Sequence, residues 1–280
     1  MQKGIKKIPS PYDLNAIMPY IMKRRCDSMI YYNVDFDVEP LLAYLEENKT
    51  CTFFQAMLLA FIKTMRERPG LNRFVMGRSL YQRDDMDICF IARKTLTDEG
   101  SETTVKMRIK PEDGDQAIIA KIIGGIGEAK SDAAKDDDKT IAFLIKLPKF
   151  MLRVIINILI WLDFHMNFPK ELEKIDPLHC SAFFANLGSV GIDAPFHHLY
   201  EWGTCSLFVA IGKIGKKLTL DKSGNPVVRD MVDVKVSLDE RIADGYYFAR
   251  AFDIYKGYIE NPETLFELSK ENHMKAGGIE

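Results

Sequence analysis

The chain has 280 residues, of which 47% are hydrophobic, so it can bury a sizeable core. Its 38 basic and 40 acidic side chains nearly cancel, and no stretch interleaves basic with aromatic residues along one face, which argues against a nucleic-acid partner. The five cysteines are scattered without C-x-x-C spacing, so neither a disulfide framework nor a zinc site is expected.

The amino terminus, "MQKGIKKIPSPYDLN", is basic but lacks the apolar segment and the small-residue cleavage site of a secretory signal. We therefore expect a cytoplasmic protein whose thiols are reduced and mostly buried.

The first half of the chain mixes strand and helix patterns. Residues 29–38 alternate large and polar side chains, which predicts a strand, and residues 39–49 have helical spacing. Apolar residues recur with a period of 3.6 from Phe53 to Met65, which predicts a second helix. The stretch "NRFVMGRSLYQRDDMDICFIARK" reads as two strands joined by a turn near Gly77, and "TTVKMRIK" as a further strand.

The second half continues the mixture. Residues 111–130 are helical apart from an irregularity expected at Gly124-Gly125, and "SDAAKDDDK" is a charged linker. Three strand-like segments, "SAFFANLGSVGID", "CSLFVAIGKI" and "VDVKVSL", precede a last helix at "GYYFARAFDIYKGYIENPETL". The order predicts a mixed α/β protein.

One segment, residues 147–169 ("LPKFMLRVIINILIWLDFHMNFP"), is unusually apolar. Its predicted helix, from Pro148 to Phe164, carries one narrow polar stripe formed by Lys149, Arg153 and Asn157. Such a helix is about 25 Å long at roughly 1.5 Å per residue. A bilayer span needs roughly 20 apolar residues, or about 30 Å, so the helix is too short to cross. Three roles stay open: packing against the chain's own core or a neighbouring subunit, lying on a membrane surface, or lining a site for a long acyl chain.

The order of these elements, with "NLGSVG" and "DERIADG" near the end, resembles the catalytic domain of the dihydrolipoyl acyltransferases of 2-oxoacid dehydrogenase complexes and the related chloramphenicol acetyltransferases. The arginine-rich "YIMKRRCDSM", the strand "NVDFDV", the helix into "RERPGLN" and the strand "SLFVAIGKI" add to the likeness. The resemblance covers most of the chain. It implies one domain over residues 1–280, a two-layer α/β sandwich with a mixed sheet, with a helical insertion at about 140–178.

The resemblance also implies homotrimers with active sites at subunit interfaces, and a channel that admits coenzyme A or a pantetheine-like arm. The family moves an acyl group between a thioester and a thiol or hydroxyl. Coenzyme A or an acyl-carrier thioester is thus expected as a substrate, with no permanently bound cofactor.

The family's second motif, D-H-R-x-x-D-G, carries a histidine that acts as the general base. This chain reads "DERIADG" there, with Glu240 at the base position. The resemblance implies that Asp244 pairs with an arginine of the first helix, either Arg24 or Arg25. Gly245 suits the turn into the last helix, so these residues keep the frame of the site.

The family's first motif opens with a serine that donates a hydrogen bond to the tetrahedral oxyanion. Ala185 stands at that position, and the loss of one such donor typically costs about 3 to 4 kcal/mol of transition-state stabilisation. Asn186 and the backbone amides near Gly188 remain as polar contacts for a substrate.

Glu240 could replace the missing base, since a carboxylate buried among apolar groups can have its pKa raised into the range that general-base catalysis needs. Arg241 could instead hold Glu240 ionised in a salt bridge. Both alternatives stay open from the sequence.

A histidine pair lies in "DAPFHHLYEWGTCS" (193–206), which borders the expected channel. If this segment is extended, His198, Tyr200 and Trp202 point to one side and His197 to the other. At most one of the two candidate bases, His198 or His197, then faces a given pocket, and His198 would have Tyr200 and Trp202 beside it as an aromatic wall against a ligand. We expect no metal site, because adjacent histidines on a strand diverge and no third ligand is suitably spaced.

The sequence thus supports two functions. The first is acyl transfer from a coenzyme A or carrier thioester at a rebuilt site. The second is a non-catalytic scaffold of the same fold that binds a lipid, a carrier or a protein, located in the cytoplasm or at the membrane periphery. The ionisable Glu240 and the histidines beside the expected channel favour the first.

Overall fold

A six-stranded mixed sheet forms the centre of the computed structural model, which describes residues 4–10, 13–93, 102–130, 146–221 and 223–266. The strands of the described residues are β1 (Ile5–Ile8), β2 (Met29–Asp37), β3 (Arg73–Met76), β4 (Ser79–Arg83), β5 (Met86–Arg93), β6 (Glu102–Ile109), β7 (Ala182–Asn186), β8 (Leu207–Leu220) and β9 (Pro226–Asp239). The large sheet has the order β2-β9-β8-β7-β5-β6. β7 runs parallel to β5 and β8, and the other pairs are antiparallel, so the predicted mixed sheet is confirmed.

A small sheet of order β1-β4-β3 lies beside the large one. The sequence predicted two strands across this region, but the chain breaks again after β4, at Asp84-Asp85. β4 therefore belongs to the small sheet and β5 to the large one. The prediction was wrong because the alternation of apolar residues continues through the break, while the sheet to which each strand belongs depends on tertiary contacts.

The helices are α1 (Asp13–Ile21), α2 (Glu39–Asn48), α3 (Phe53–Glu67), α4 (Asp115–Lys130), α5 (Lys149–Phe164), α6 (Lys170–Ile175) and α7 (Gly245–Glu260). α3 begins with a capping box between Thr52 and Gln55, and its apolar side chains enter the main core. Tyr255 of α7 packs edge-on against Phe61 of α3 at 5.3 Å between ring centroids. The α2, α3 and α7 helices thus cover one face of the large sheet with a single apolar core.

The α4 helix is continuous through Gly124-Gly125, so the irregularity predicted there is wrong. Gly125 has a packing reason instead, because a Cβ at that position would lie 2.5 Å from Cγ1 of Val105. The charged linker that follows α4 lies outside the described residues.

The other face of the sheet is covered by a segment of irregular structure, residues 192–205. Phe183 and Phe208 stack there at 5.1 Å, and Leu199 of the covering segment packs with them. The histidine pair therefore lies on this second face, away from the helical core.

The predicted apolar helix is confirmed as α5. Among its residues only Asp163 is buried, and Phe150, Val154, Ile158 and Trp161 are more than half exposed. α5 therefore presents an apolar stripe to solvent in the described chain. No helix of the described residues has the length and apolar character needed to cross a membrane.

The carboxyl end of α5 is held by a buried histidine. His179 contacts Asp163 of α5 through Nε2 (3.1 Å) and Asp176 through Nδ1 (2.9 Å). Its ring stacks on Phe168 at 4.3 Å, and the indole of Trp202 donates to the same Asp176 carboxylate. This group, the His179 cluster, fastens the carboxyl end of α5 to the segment that carries Trp202.

Candidate functional site

A buried charged cluster lies where the "DERIADG" turn meets the 3-10 turn of residues 25–28. Asp239 is fully buried and accepts two hydrogen bonds from Arg241, at 2.8 Å from Nε and 2.7 Å from Nη2. It also accepts from Ser28 Oγ at 2.9 Å, and Nε of Arg25 lies 3.8 Å from its Oδ2. This Asp239 cluster fixes the backbone on both sides of Glu240.

The structure corrects the expected pairing of Asp244. Its carboxylate accepts from the backbone N–H of Tyr247 at 2.7 Å and caps α7, with Gly245 as the first helical residue. Arg24 pairs instead with Asp27 at 2.7 Å, and Arg25 donates to the carbonyl of Tyr200 at 2.6 Å. The prediction failed because the amide at the start of α7 already satisfies Asp244, whereas Asp239 is buried beside both Arg25 and Arg241.

Glu240 is half-buried at the tip of this turn. Its backbone N–H donates to the carbonyl of Ser28 at 2.9 Å. Arg241 is committed to Asp239 and to the carbonyl of Met22, so the predicted alternative of a Glu240–Arg241 salt bridge is wrong. No ion pair or side-chain hydrogen bond of Glu240 occurs within the described residues, which leaves its carboxylate available to a ligand.

The two histidines do not diverge as predicted. The segment is not a regular strand, and the rings of His197 and His198 stack at 4.6 Å between centroids. His197 also lies flat on Phe208, at 3.9 Å and 6° between planes, whereas His198 is exposed. His197, not His198, is therefore the histidine held in a defined position.

The environment of His197 suits a general base. Nδ1 lies 2.8 Å from the carbonyl of His198, and because a carbonyl only accepts, Nδ1 carries the proton and Nε2 the lone pair. Burial lowers the pKa of His197, which keeps the imidazole neutral at pH 7. Within the described residues no hydrogen bond occupies Nε2. The sequence favoured His198 because neighbouring side chains of an extended segment alternate, and the irregular backbone of this segment does not follow that rule.

The aromatic wall predicted from Tyr200 and Trp202 is divided in the structure. Tyr200 stays with the histidines, 4.6 Å from the ring of His198. Trp202 turns away toward Phe168 and the His179 cluster. Between them, the Glu201 carboxylate accepts from the backbone N–H groups of Arg25 and Cys26. Glu201 was not predicted, and its only sequence signal is an acid between two aromatic residues.

Asn186 and Gly188 lie toward the opposite end of the sheet from Glu240. Asn186 of β7 pairs with Ile211 of β8. Glu240 lies two residues after Leu238 of β9, which pairs with Leu207 of β8. The two levels are six residue steps apart along the strands, which is about 20 Å at roughly 3.3 Å per residue. One chain alone therefore does not bring Glu240 and Asn186 into a single site.

Gly188 makes a close backbone approach at that end. A Cβ there would lie 2.6 Å from the carbonyl oxygen of Gly212 on β8, so only glycine fits without a shift. In the described part of the chain, no group of three or more histidine, cysteine or acidic side chains could hold a metal ion.

The fold is the chloramphenicol acetyltransferase-like α/β sandwich, which the chain shares with solved acyltransferase structures. Solved structures with this fold include a probable dihydrolipoamide acetyltransferase from Listeria monocytogenes (16% identity, 91% of this chain and 94% of that chain, TM-score 0.57). The cubic core of a pyruvate dehydrogenase multienzyme complex has 13% identity, 93% coverage of each chain and a TM-score of 0.60. A chloramphenicol acetyltransferase has 8% identity, 92% and 98% coverage and a TM-score of 0.54.

In sequence, residues 181–267 match the family of 2-oxoacid dehydrogenase acyltransferase catalytic domains. That segment contains "NLGSVG" and "DERIADG", so the resemblance inferred from these motifs is confirmed. No curated protein matches the chain in sequence.

Proposed function

We propose that this protein transfers an acyl group from a coenzyme A or acyl-carrier thioester to a thiol or hydroxyl, at a site formed between copies of the chain. The observation that carries the proposal is His197, a neutral imidazole with a free Nε2 among the described residues, held flat against Phe208 on the second face of the sheet. The hydroxyl of Ser237 donates to the carbonyl of His197, which ties the histidine to the strand that leads into Glu240.

In the proposed reaction, Nε2 of His197 takes the proton from the acceptor's thiol or hydroxyl as the acceptor attacks the thioester carbonyl. The tetrahedral intermediate collapses, the carbon–sulfur bond breaks, and the departing thiolate takes the proton back from His197. Asn186 and a backbone amide near Gly188, supplied by another copy, are the candidate donors to the oxyanion.

Glu240 has two possible roles in this site. It could stabilise the imidazolium of His197 during transfer, or it could be the base itself. The two roles differ in what a Glu240→Gln substitution does, because only the second requires an ionisable group at position 240 while His197 stays intact.

The likeness to trimeric enzymes supports a homotrimer, and so does the exposed apolar surface of the β8–β9 hairpin. Leu218, Leu220 and Val228 are each more than half exposed in the described single chain. Such a surface on a long hairpin is typical of a strand pair that packs on a second subunit. The 20 Å gap between Glu240 and Asn186 also requires a second copy if both residues serve one site.

One observation favours the second candidate function, a scaffold that binds a lipid, a carrier or a protein. The exposed apolar stripe of α5, with Phe150, Val154, Ile158 and Trp161, offers a surface for a long acyl chain or a membrane. A catalytic protein could use the same stripe to hold an acyl donor, so the stripe alone does not decide between the two functions.

The experiment is a panel of acyl-coenzyme A donors with thiol and hydroxyl acceptors, in which free coenzyme A is measured by chromatography. We expect turnover by the wild type, a loss of about 100-fold or more in His197→Ala, and little change in the matched control His198→Ala. Glu240→Gln should lose as much as His197→Ala only if Glu240 is the base. Absence of turnover above background for every pair would overturn the catalytic proposal and favour the scaffold.

The pH dependence gives a second readout. Because burial lowers the pKa of His197, kcat/KM should rise with pH through a pKa below 6.5 and be level at neutral pH. The residual activity of His197→Ala should lack this ascending limb.

A further inference from the structure

A cavity of about 230 Å³ lies between α1, the β3–β4 turn and the carboxyl end of α5. Neither Glu240 nor either histidine of the pair lines it, so it is separate from the proposed transfer site. The α5 helix, within the insertion expected from the resemblance, supplies one wall of the cavity.

The floor of the cavity consists of two buried guanidinium groups. Arg25 is 3% exposed and Arg241 is 5% exposed, and both share the single buried carboxylate of Asp239. Nε of Arg25 is buried and has no hydrogen-bond partner. Arg25 thus approaches Asp239 only at 3.8 Å and donates from Nη1 to the carbonyl of Tyr200, so its charge is incompletely compensated and an anion in the cavity would be stabilised beside it.

The remaining charges leave the cavity positive. Lys23 and Arg78 are exposed at its rim and add two more cations. Its own carboxylates are already occupied: Asp163 contacts His179, and the Glu201 carboxylate accepts two backbone N–H groups. Four cationic side chains therefore face three carboxylates, those of Asp163, Glu201 and the Asp239 shared by the two buried arginines, which leaves a net positive charge.

The walls are apolar and aromatic. Ile160 and Phe164 of α5 form one side, and Trp202 forms another. A volume of about 230 Å³ is far above what one water molecule needs, so the cavity has room for a small organic molecule. The site thus matches a small molecule with one anionic end and a short apolar body.

We propose that this cavity binds a small amphipathic anion, with its carboxylate or phosphate against Arg25 and the rim cations and its apolar part against Ile160 and Phe164. Anion binding here does not depend on acyl transfer, since none of the residues that line the cavity takes a step in the proposed reaction. The carboxylate and the phosphate share the chemistry that the arginines recognise, and the test below separates them.

The test is isothermal titration calorimetry of the full chain with four probes of one tail length: hexanoate, hexyl phosphate, hexylamine and hexanol. We expect at least one of the two anions to bind and the amine and the alcohol not to bind. Binding of hexanoate alone would assign a carboxylate ligand, and tighter binding of hexyl phosphate would assign a phosphate. Binding of either anion no tighter than that of hexanol would overturn the proposal.

The variants locate the bound probe. The rim substitution Lys23→Gln with Arg78→Gln should weaken anion binding about tenfold, and Ile160→Ala should weaken it while the preference for an anion remains. Arg153→Gln, an exposed cation on the same α5 helix outside the cavity, is the matched control and should bind as the wild type does. Because Lys23 and Arg78 are exposed, thermal melts of the rim variant should match the wild type, and unchanged anion affinity in that variant would refute the assignment.

Discussion

Substitution of His179 by phenylalanine tests how the carboxyl end of α5 is attached to the rest of the protein. The side chain of His179 is 2% exposed, and its two ring nitrogens contact the carboxylates of Asp163 and Asp176. Phenylalanine keeps a ring that can stack on Phe168 but removes both polar contacts. The substitution therefore isolates the polar part of the His179 cluster.

The expected loss follows from the burial of the partners. The side chain of Asp163 is 9% exposed and that of Asp176 is 14% exposed, so both carboxylates would remain in a poorly solvated place without their cation. Removing one partner of a buried ion pair typically costs about 3 to 5 kcal/mol. Asp176 keeps hydrogen bonds from Trp202 and from the Leu178 amide, so we expect the lower part of this range, about 3 kcal/mol.

The contribution should depend on pH with a definite sign. Burial alone lowers the pKa of His179, but the hydrogen bonds and charges of Asp163 and Asp176 outweigh it, and the net shift is upward. A group with a raised pKa in the folded state contributes stability that is fully present below its unfolded value of about 6.5. That stability is lost as the pH rises through the folded pKa. The difference between wild type and His179→Phe should therefore be largest near pH 6 and smaller near pH 9.

Urea unfolding at the two pH values measures this directly, and Asp163→Asn provides the matched background. In that background His179→Phe should cost clearly less, because one of the two stranded carboxylates is already neutral. A loss below about 1 kcal/mol at pH 6, or an equal loss at both pH values, would show that the cluster is not an ionic attachment.

Three further predictions concern local features. Gly77→Ala should destabilise the fold by more than about 1 kcal/mol in urea unfolding, because Gly77 has φ of +54° and a Cβ would lie 2.5 Å from the carbonyl oxygen of Phe164. By contrast, Gly124→Ala should stabilise the fold by about 0.5 to 1 kcal/mol, because a Cβ there would lie in open space inside α4. Asp244→Ala should cost about 1 kcal/mol by removing the cap of α7, and an unchanged urea midpoint would contradict that role. In native thiol labelling, the exposed Cys26 should react first, whereas the buried cysteines should react only on unfolding. Early labelling of a buried cysteine would contradict its burial in the apolar cluster around Phe183 and Phe208. The buried cysteines are Cys89, Cys180 and Cys205.

The fold was readable from the sequence wherever a pattern is local. The periodicity of α3 and the alternation of β2 and β9 predict those elements, because each buries one face against the same core. The two motifs predicted the fold because each is a short, local pattern, and both lie within the segment that matches the family model.

The site was less readable because its contacts are distant in sequence. Asp239 receives Arg25 from more than 200 residues away, and no pattern separates that partner from Asp244. The choice of His197 over His198 depends on Phe208, which supplies the surface that His197 stacks on. Neither contact follows from spacing or residue type alone.

In the proposed trimer, one chain supplies Glu240 and another supplies Asn186 to a shared site. Cysteines placed by Glu240→Cys and Asn186→Cys, in a Cys26→Ser background, test it with a cross-linker shorter than the roughly 20 Å that separates the two positions within one chain. We predict that the doubly substituted protein gives covalent dimers and trimers on denaturing gels, and that neither single variant does. An oligomer of the double variant that gives no cross-link between its chains would contradict the shared site.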